Sequence, residues 1–318
     1  MSDMPKAVGD KYKVRIVIDT CADLTPQVAE ALDVDILAFS YILDGVEHMD
    51  DIWTSITPKE FYDALRDGAS CQTSAISLGR YAEFFNKCAE EGTPTVYLAF
   101  TRGLSSSVDY AMAAAEQVRR EHPDFELYVI DNKTPCACAE LLAIEAVRQR
   151  AAGLTAAQLA KWAEEARYYI HGYFTIDNLD ALARGGRIPP AAAQLSSKLD
   201  IKPTLSFDLN GALTLLGVNR GRKKALKALL KTFNENYVAD PAQPIVIMSS
   251  DSEKDADWIE AAIRKEEGLA DIPVVRGSVG TAIGAHVGPG MVGVGFWGNS
   301  RADKLSLSDR IARRVRGE

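Results

Sequence analysis

The sequence predicts an α/β protein, with an N-terminal α/β domain built on a parallel sheet and a C-terminal α+β domain. Three observations predict it. Short β-branched runs recur at Val14 to Asp19, Thr95 to Phe100 and Glu126 to Asp131, apolar throughout as strands buried on both faces are. Segments of helical length separate them, and such alternation makes a parallel sheet with helices on both faces. Later, Asp208-Leu209-Asn210-Gly211 lies between Thr204–Phe207 and Ala212–Leu216, a hairpin that imposes antiparallel pairing. With 318 residues and domains of about 100–200, the change of pattern divides the chain into 1–166 and 167–318.

Each element has a local reason. Thr25-Pro26 opens a helix after the first strand, with Thr as N-cap and Pro at the first helical position. Val34 to Leu43 is a second apolar strand, closed by Asp44-Gly45. Thr57-Pro58-Lys59-Glu60 has the form of a capping box. Helices are expected over Ser77–Glu90, Ser105–Arg120 and Cys138–Ala152. In the second half, Tyr168–Thr175, Ile245–Ser249, Pro273–Arg276 and Gly290–Trp297 are strands, and Arg222–Phe233 and Asp255–Lys265 helices.

Composition excludes several classes. Hydrophobic residues make up 47% and charged residues 25%, enough for a sizeable core. A net charge of −8 argues against a dedicated nucleic-acid binder, which needs a basic surface. No apolar stretch reaches the ~18 residues of a membrane span, and Met1 to Lys13 is polar, so the expectation is a cytoplasmic protein. The five cysteines form no CxxC, and the Cys136/Cys138 pair lacks neighbouring ligands. With four histidines, neither a metal centre nor a cofactor is expected.

Polar groups gather at strand ends, where open α/β sheets bind ligands. Three stretches qualify: Asp19 to Asp23, Cys71-Gln72-Thr73-Ser74 ahead of a helix, and Thr101 to Ser107 between a strand and a helix. Hydroxyls and free N–H groups there suit an anion, and equally suit plain N-capping. Asp19 and Asp23 have no second carboxylate pair to face. Gly288 to Gly293 matches GxGxxG, but a strand-like segment follows it and position 313 is Arg, so the dinucleotide reading fails. It reads as a turn, with His286 just before it. Leu179 to Ile188 (LDALARGGRI) presents Arg184 and Arg187 around two glycines, and arginines suit carboxylate, phosphate or an acidic partner. Arg220, Lys224, Lys227 and Lys231 are spaced to share one helical face. GxxxxGK[ST], GxSxG and HExxH do not occur.

These stretches together resemble the DegV family, fatty-acid-binding proteins that serve a bacterial fatty acid kinase. The likeness is carried by IVIDTCADLT (16–25), Thr73-Ser74, GLSS (103–106), LARGGRI (182–188) with IKP (201–203), and GAHVGPG (284–290). The resemblance implies a long-chain fatty acid in an apolar tunnel, its carboxylate held by Thr73 and Ser105 with His286 close by. Ser74, Arg102 and Ser106 are further head-group candidates. The arginines of the GGR turn and the following basic helix, Arg184, Arg187 and Arg220, are implied in docking the kinase. The sequence departs from the family at Arg102, where a small residue is usual, at Ser106 in place of glycine, at Ala75-Ile76 where proline is usual, and at Ile247 to Asp251, a strand that usually ends in His.

The implied function is that of a substrate-presenting subunit, not an enzyme, with fatty acid and kinase catalytic subunit as partners, no nucleic acid, and room for a transient membrane contact. A C16 chain buries about 14 methylenes, roughly 11 kcal/mol gross, less several for ordering and association. Two other readings remain: a generic lipid carrier without a kinase, and a serine hydrolase using Ser105 with His286.

Overall fold

The computed structural model describes residues 14–193 and 200–304. Its strands are β1 (Arg15–Asp19), β2 (Asp35–Leu37), β3 (Ser40–Leu43), β4 (Val46–Met49), β5 (Cys71–Ser74), β6 (Thr95–Ala99), β7 (Leu127–Asp131), β8 (Ile170–Thr175), β9 (Ile201–Phe207), β10 (Leu213–Arg220), β11 (Ile245–Ser249), β12 (Val274–Ser278) and β13 (Val292–Trp297). Its helices are α1 (Pro26–Leu32), α2 (Pro58–Arg66), α3 (Leu78–Glu91), α4 (Ser107–Glu121), α5 (Ala137–Ala151), α6 (Ala156–Ala166), α7 (Asp180–Arg184), α8 (Pro190–Ala193), α9 (Arg222–Asn236), α10 (Glu253–Ile263) and α11 (Thr281–Val287).

The expected parallel sheet is present, in the order β2-β1-β6-β7. Successive side chains of a strand point to opposite faces, and the packing follows. Val17, Tyr97 and Ala99 meet α3 and α4 on one face. Ile16, Ile18, Val96 and Leu98 meet α1, α5 and α6 on the other. Thr25 and Thr57 cap their helices as the sequence predicts, Thr57 with Glu60 in a capping box.

The second large sheet runs β10-β9-β8-β13-β11-β12, antiparallel except between β11 and β12. Ile245 and Ile247 face α9 and α10, whereas Val246 and Met248 face α5. Helix α5 therefore has a sheet on either side, and twelve of its fifteen residues are buried. Such a position favours apolar residues around most of the helix, and Glu140, Glu145 and Arg150 are its buried charged exceptions. The chain passes from one sheet to the other between α6 and β8. A division at residue 166 stays a proposal, because the largest apolar cluster joins Ile16 and Leu98 to Phe174 and Met248 through α5.

Three expectations change. Val34 to Leu43 is two strands, because β2 pairs with β1 and β3 pairs antiparallel with β4 and β5. The break falls at Phe39, whose N–H donates to Thr20 Oγ1 (3.1 Å) and whose carbonyl accepts from Asp50 N (2.9 Å). Cys71 to Ser74 does precede a helix, α3, but is itself a strand of the three-stranded sheet β4-β3-β5. Arg220 ends β10 and does not share the helical face of Lys224, since α9 starts at Arg222 after Gly221 at φ +85°.

Candidate functional site

The glycine-containing segment 280–287 is helical because its N-terminus is held from outside. Gly280 N donates to Asp23 Oδ1 at 3.0 Å, Ala282 N to Asp50 Oδ2 at 3.4 Å, and Tyr62 Oη to Val279 O at 2.5 Å. All three partners come from the first half of the chain. Burial raises the pKa of both carboxyls above the ordinary value. Helix α11 then delivers His286, in its last turn, against β5.

Thr73 Oγ1 and His286 Nε2 lie 2.8 Å apart. Burial first, and the positive charge of Arg187 second, depress His286 to about 4, so the imidazole is neutral at pH 7. Its Nδ1 is buried without a hydrogen-bond partner. The ring lies against Gly185, where any Cβ would come within 2.2 Å of Nδ1. The first glycine of the RGGR turn is thus required by the histidine of the GAHVGPG segment, which explains why two short motifs 100 residues apart belong to one site.

Two spaces meet at this pair. On one side is an apolar chamber of about 140 Å³ with walls that include Phe39, Phe100, Leu104, Phe174, Phe207 and Met291. Phe174 and Phe207 stack with ring centres 5.7 Å apart. A smaller void of about 20 Å³ shares Cys136, Phe174, Phe207 and Met291 and reaches Cys138 and Met248. On the other side is an open polar cleft of about 1040 Å³, lined by Arg66, Asp177, Asp180, Arg184 and Asp251 among others. Thr73, Arg187, His286 and Val287 line both.

Ser105 lines the chamber. Its Oγ accepts from Ser107 N at 3.1 Å, which leaves its O–H free to donate. The loop that carries it is fixed from below. Asp19 Oδ2 accepts from Phe100 N (2.7 Å) and Tyr97 Oη (2.8 Å), and the hydroxyls of Tyr97, Tyr81 and Ser107 follow in a buried row. Burial pushes the Asp19 carboxyl up to about 6.

Of the other residues singled out from the sequence, Ser74 and Ser106 line the chamber. Arg102 does not: it is exposed, 2.8 Å from Asp109, and lines neither space. The arginine that the sequence offered to the head group belongs to the outer face of α4. Arg184 is exposed at the edge of the cleft, and Arg220 is exposed and outside both spaces. Arg187 is half-buried at the junction, its Nε donating to Leu104 O at 3.1 Å and its Nη1 to Gly185 O. Sequence reasoning missed the carboxylates of Asp23 and Asp50 as anchors of α11. Their signal was their position after β1 and after β4, each next to the sheet ends that hold the other polar groups.

A hydrolytic triad needs a base bonded to the nucleophile and a third group orienting the base. Here His286 Nε2 is engaged by Thr73 and Nδ1 meets no carboxylate among the described residues. No group of three or more metal-ligating side chains occurs among the described residues.

A sequence model described as "Uncharacterised protein, DegV family" matches residues 13–299. This chain belongs to the DegV family. A DegV domain-containing protein of Clostridium perfringens is 33% identical over 289 residues, 91% of this chain and 99% of its own length. Among solved DegV-like structures, a stearic-acid-binding protein of Eubacterium ventriosum has a TM-score of 0.76 at 26% identity, over 92% of this chain and 100% of its own. The fatty acid kinase B3 protein of Streptococcus pneumoniae, loaded with linoleic acid, has a TM-score of 0.77 at 19% identity, over 90% of this chain and 99% of its own. At that identity the likeness establishes the DegV fold alone.

Proposed function

We propose that the chain binds a long-chain fatty acid, with its acyl tail in the chamber and its carboxylate at the Thr73–His286 pair, and presents that carboxylate to a partner kinase. One observation carries the reading: neutral hydrogen-bonding groups sit where an apolar space opens into a polar one. Thr73 and Ser105 donate to the carboxylate and neutral His286 completes the set. Family membership and the fatty-acid-binding neighbours support the ligand class. In the partner's reaction a carboxylate oxygen attacks the γ-phosphorus of ATP, the bond to the β-phosphate oxygen breaks, and ADP leaves. The kinase supplies ATP, metal and transition-state charge; this chain supplies the substrate and no catalytic group. Exposed Arg184 and Arg220 are the proposed contacts to the kinase, and the setting is the cytoplasm, with loading at a membrane surface. The generic carrier differs only in lacking the kinase.

Mass spectrometry of lipid extracted from the purified protein tests the ligand. A stoichiometric long-chain fatty acid is the expected result, and a protein that neither carries nor takes up fatty acid contradicts it. Incubating the loaded protein with a fatty acid kinase catalytic subunit, ATP and Mg²⁺, and trapping acyl phosphate with hydroxylamine, separates presenter from carrier.

A further inference from the structure

Ser107 ties together the two hydroxyl-bearing arms of the site. Its Oγ accepts from Ile76 N at 3.2 Å, just beyond Ser74, and its N–H donates to Ser105 Oγ at 3.1 Å. From Ser107 Oγ a row of buried groups leads to Tyr81 Oη at 2.8 Å, on to Tyr97 Oη at 3.0 Å, and on to Asp19 Oδ2 at 2.8 Å. All four residues are at most 2% exposed, and none lines the chamber or the cleft. The protons of the row can be assigned one by one. An ionised carboxylate only accepts, and each hydroxyl has a single proton to give. Tyr97 donates to Asp19, so it must accept from Tyr81, and Tyr81 must accept from Ser107. Ser107 is left with lone pairs for Ile76 N. The charge at one end thus fixes the direction of every bond up to the arms at the other. The remaining bonds of Asp19 come from Cys21 N at 3.1 Å and Phe100 N at 2.7 Å. No cation faces it among the described residues. Its titratable neighbours are Cys21 and, further off, Asp50, while Cys136 and Glu140 of α5 act on Asp23. From β2, Asp35 pairs with Arg15 at the opposite end of β1.

We infer that Asp19 is a positioning residue for the bound head group, acting through a row of hydroxyls whose direction its charge sets. This rests on the fatty-acid reading above. Protonation of Asp19 on Oδ2 reverses the row: Asp19 then donates to Tyr97, Tyr97 to Tyr81 and Tyr81 to Ser107. One proton is taken from solvent, and the other protons stay on their own oxygens and only turn. Ser107 Oγ now accepts from both Tyr81 and Ile76 N, and its own proton has lost its acceptor. A buried hydroxyl without an acceptor costs free energy, and this one sits at the residue from which both arms are held. The relative position of Thr73 and Ser105 follows, because Thr73 lies three residues before Ile76 and Ser105 two before Ser107. A ligand that needs both hydroxyls at once is bound best by the ionised form of Asp19, a group it never touches.

The test measures hexadecanoic acid affinity of the full chain by calorimetry between pH 7.5 and pH 5, in wild type, Asp19→Asn and Tyr81→Phe. Asparagine carries an N–H donor where the protonated acid carries its O–H, so Asp19→Asn holds the row reversed at every pH. Tyr81→Phe cuts the row and leaves Asp19 its bonds from Tyr97 and Phe100. The titrations of the ligand carboxyl and of His286 are common to all three proteins, so the quantity read is the ratio of variant to wild-type Kd. For both variants the ratio should be about fivefold at pH 7.5, the size of one lost hydrogen bond. It should fall towards one by pH 5, as the wild type itself takes up the proton on Asp19. A purely structural role lowers the melting temperature and leaves the ratio independent of pH. Ratios that do not change with pH, or that stay near one throughout, overturn the inference. If Asp19→Asn does not fold, Tyr81→Phe decides alone, by the same two outcomes. A wild type that takes up no hexadecanoic acid at pH 7.5 refutes the underlying fatty-acid reading and this inference with it, a result visible before any variant is made.

Discussion

The chamber beneath Phe174 and Phe207 is small and lined mainly by apolar side chains, whereas the cleft on the far side of His286 is wide and carries most of the ionic groups. Four side chains separate them. The chamber presents mainly apolar side chains, with Arg187 the charged one among its lining, whereas the cleft carries Arg66, Asp177, Asp180, Arg184 and Asp251 beside Leu65 and Pro289. A ligand with a long apolar tail and one polar end, as proposed, would match both. The difference also explains the histidine: buried on the chamber side, His286 is kept neutral, and its Nε2 finds its hydrogen-bond partner in Thr73 at the boundary.

The largest effect should come from removing the polar boundary. Thr73→Val with Ser105→Ala deletes two hydroxyl donors, each worth roughly 1.5–3 kcal/mol to a charged acceptor. Fatty-acid affinity should fall at least tenfold by calorimetry, and the apo melting temperature should fall as well, because Thr73→Val leaves the buried His286 Nε2 without its partner. A double variant with wild-type affinity would put the head group elsewhere.

Acid should break the same boundary through His286. In the folded protein it is held at about 4, below the ordinary imidazole value of 6.5. As pH falls the unfolded chain therefore takes up the proton first. The stabilisation is intact above pH 6.5 and is lost as the pH drops to about 4, on the order of 3 kcal/mol in all. Asp19, raised to about 6, acts in the opposite sense, so the readout is a difference. Wild type should lose more thermal stability than His286→Gln between pH 7 and pH 4.5. Parallel losses would show that the imidazole is not held neutral. Bound fatty acid should move the His286 titration upward, because a nearby carboxylate favours the imidazolium.

A smaller effect sharpens the chamber side. Cys138 and Met248 line the void behind the phenylalanine pair. Cys138→Leu should fill it and Met248→Ala enlarge it. The affinity ratio of C18 to C14 acids should fall in the first and rise in the second, by up to about 0.8 kcal/mol per methylene affected. Ratios that move together, or stay fixed, would detach that void from the acyl tail. Smallest of all is Arg102→Ala. Its exposed pair with Asp109 is worth about 0–1 kcal/mol, and lipid affinity should be unchanged.

The parallel sheet was legible because its strands are uninterrupted apolar runs and its helices begin with Thr-Pro and Ser caps. Those signals are local and tertiary contacts do not override them. Thr73 was legible as a polar group near a sheet, but not as a strand residue: Cys-Gln-Thr-Ser carries no apolar alternation, and β5 exists through its ladder to β3. Helix α11 was hidden for a different reason. Gly280 and Gly284 suggest a loop, and the groups that hold the helix, Asp23, Asp50 and Tyr62, lie more than 200 residues away. The two arginines differ in burial for tertiary reasons. Arg102, a head-group candidate by its place in the Thr101–Ser107 stretch, is held outside by Asp109 in the first turn of α4. Arg187, in the glycine turn, is folded inward against Leu104, which no local signal announces.

The central claim is the polarity of the ligand across the Thr73–His286 boundary. A crystal structure of the protein with 16-bromohexadecanoic acid, located by the anomalous signal of bromine, tests it in one experiment. The account predicts bromine among Phe174, Phe207 and Cys138, with the carboxylate in hydrogen-bond reach of Thr73 and Ser105. Bromine in the polar cleft, with the carboxylate buried beneath the phenylalanines, would contradict it.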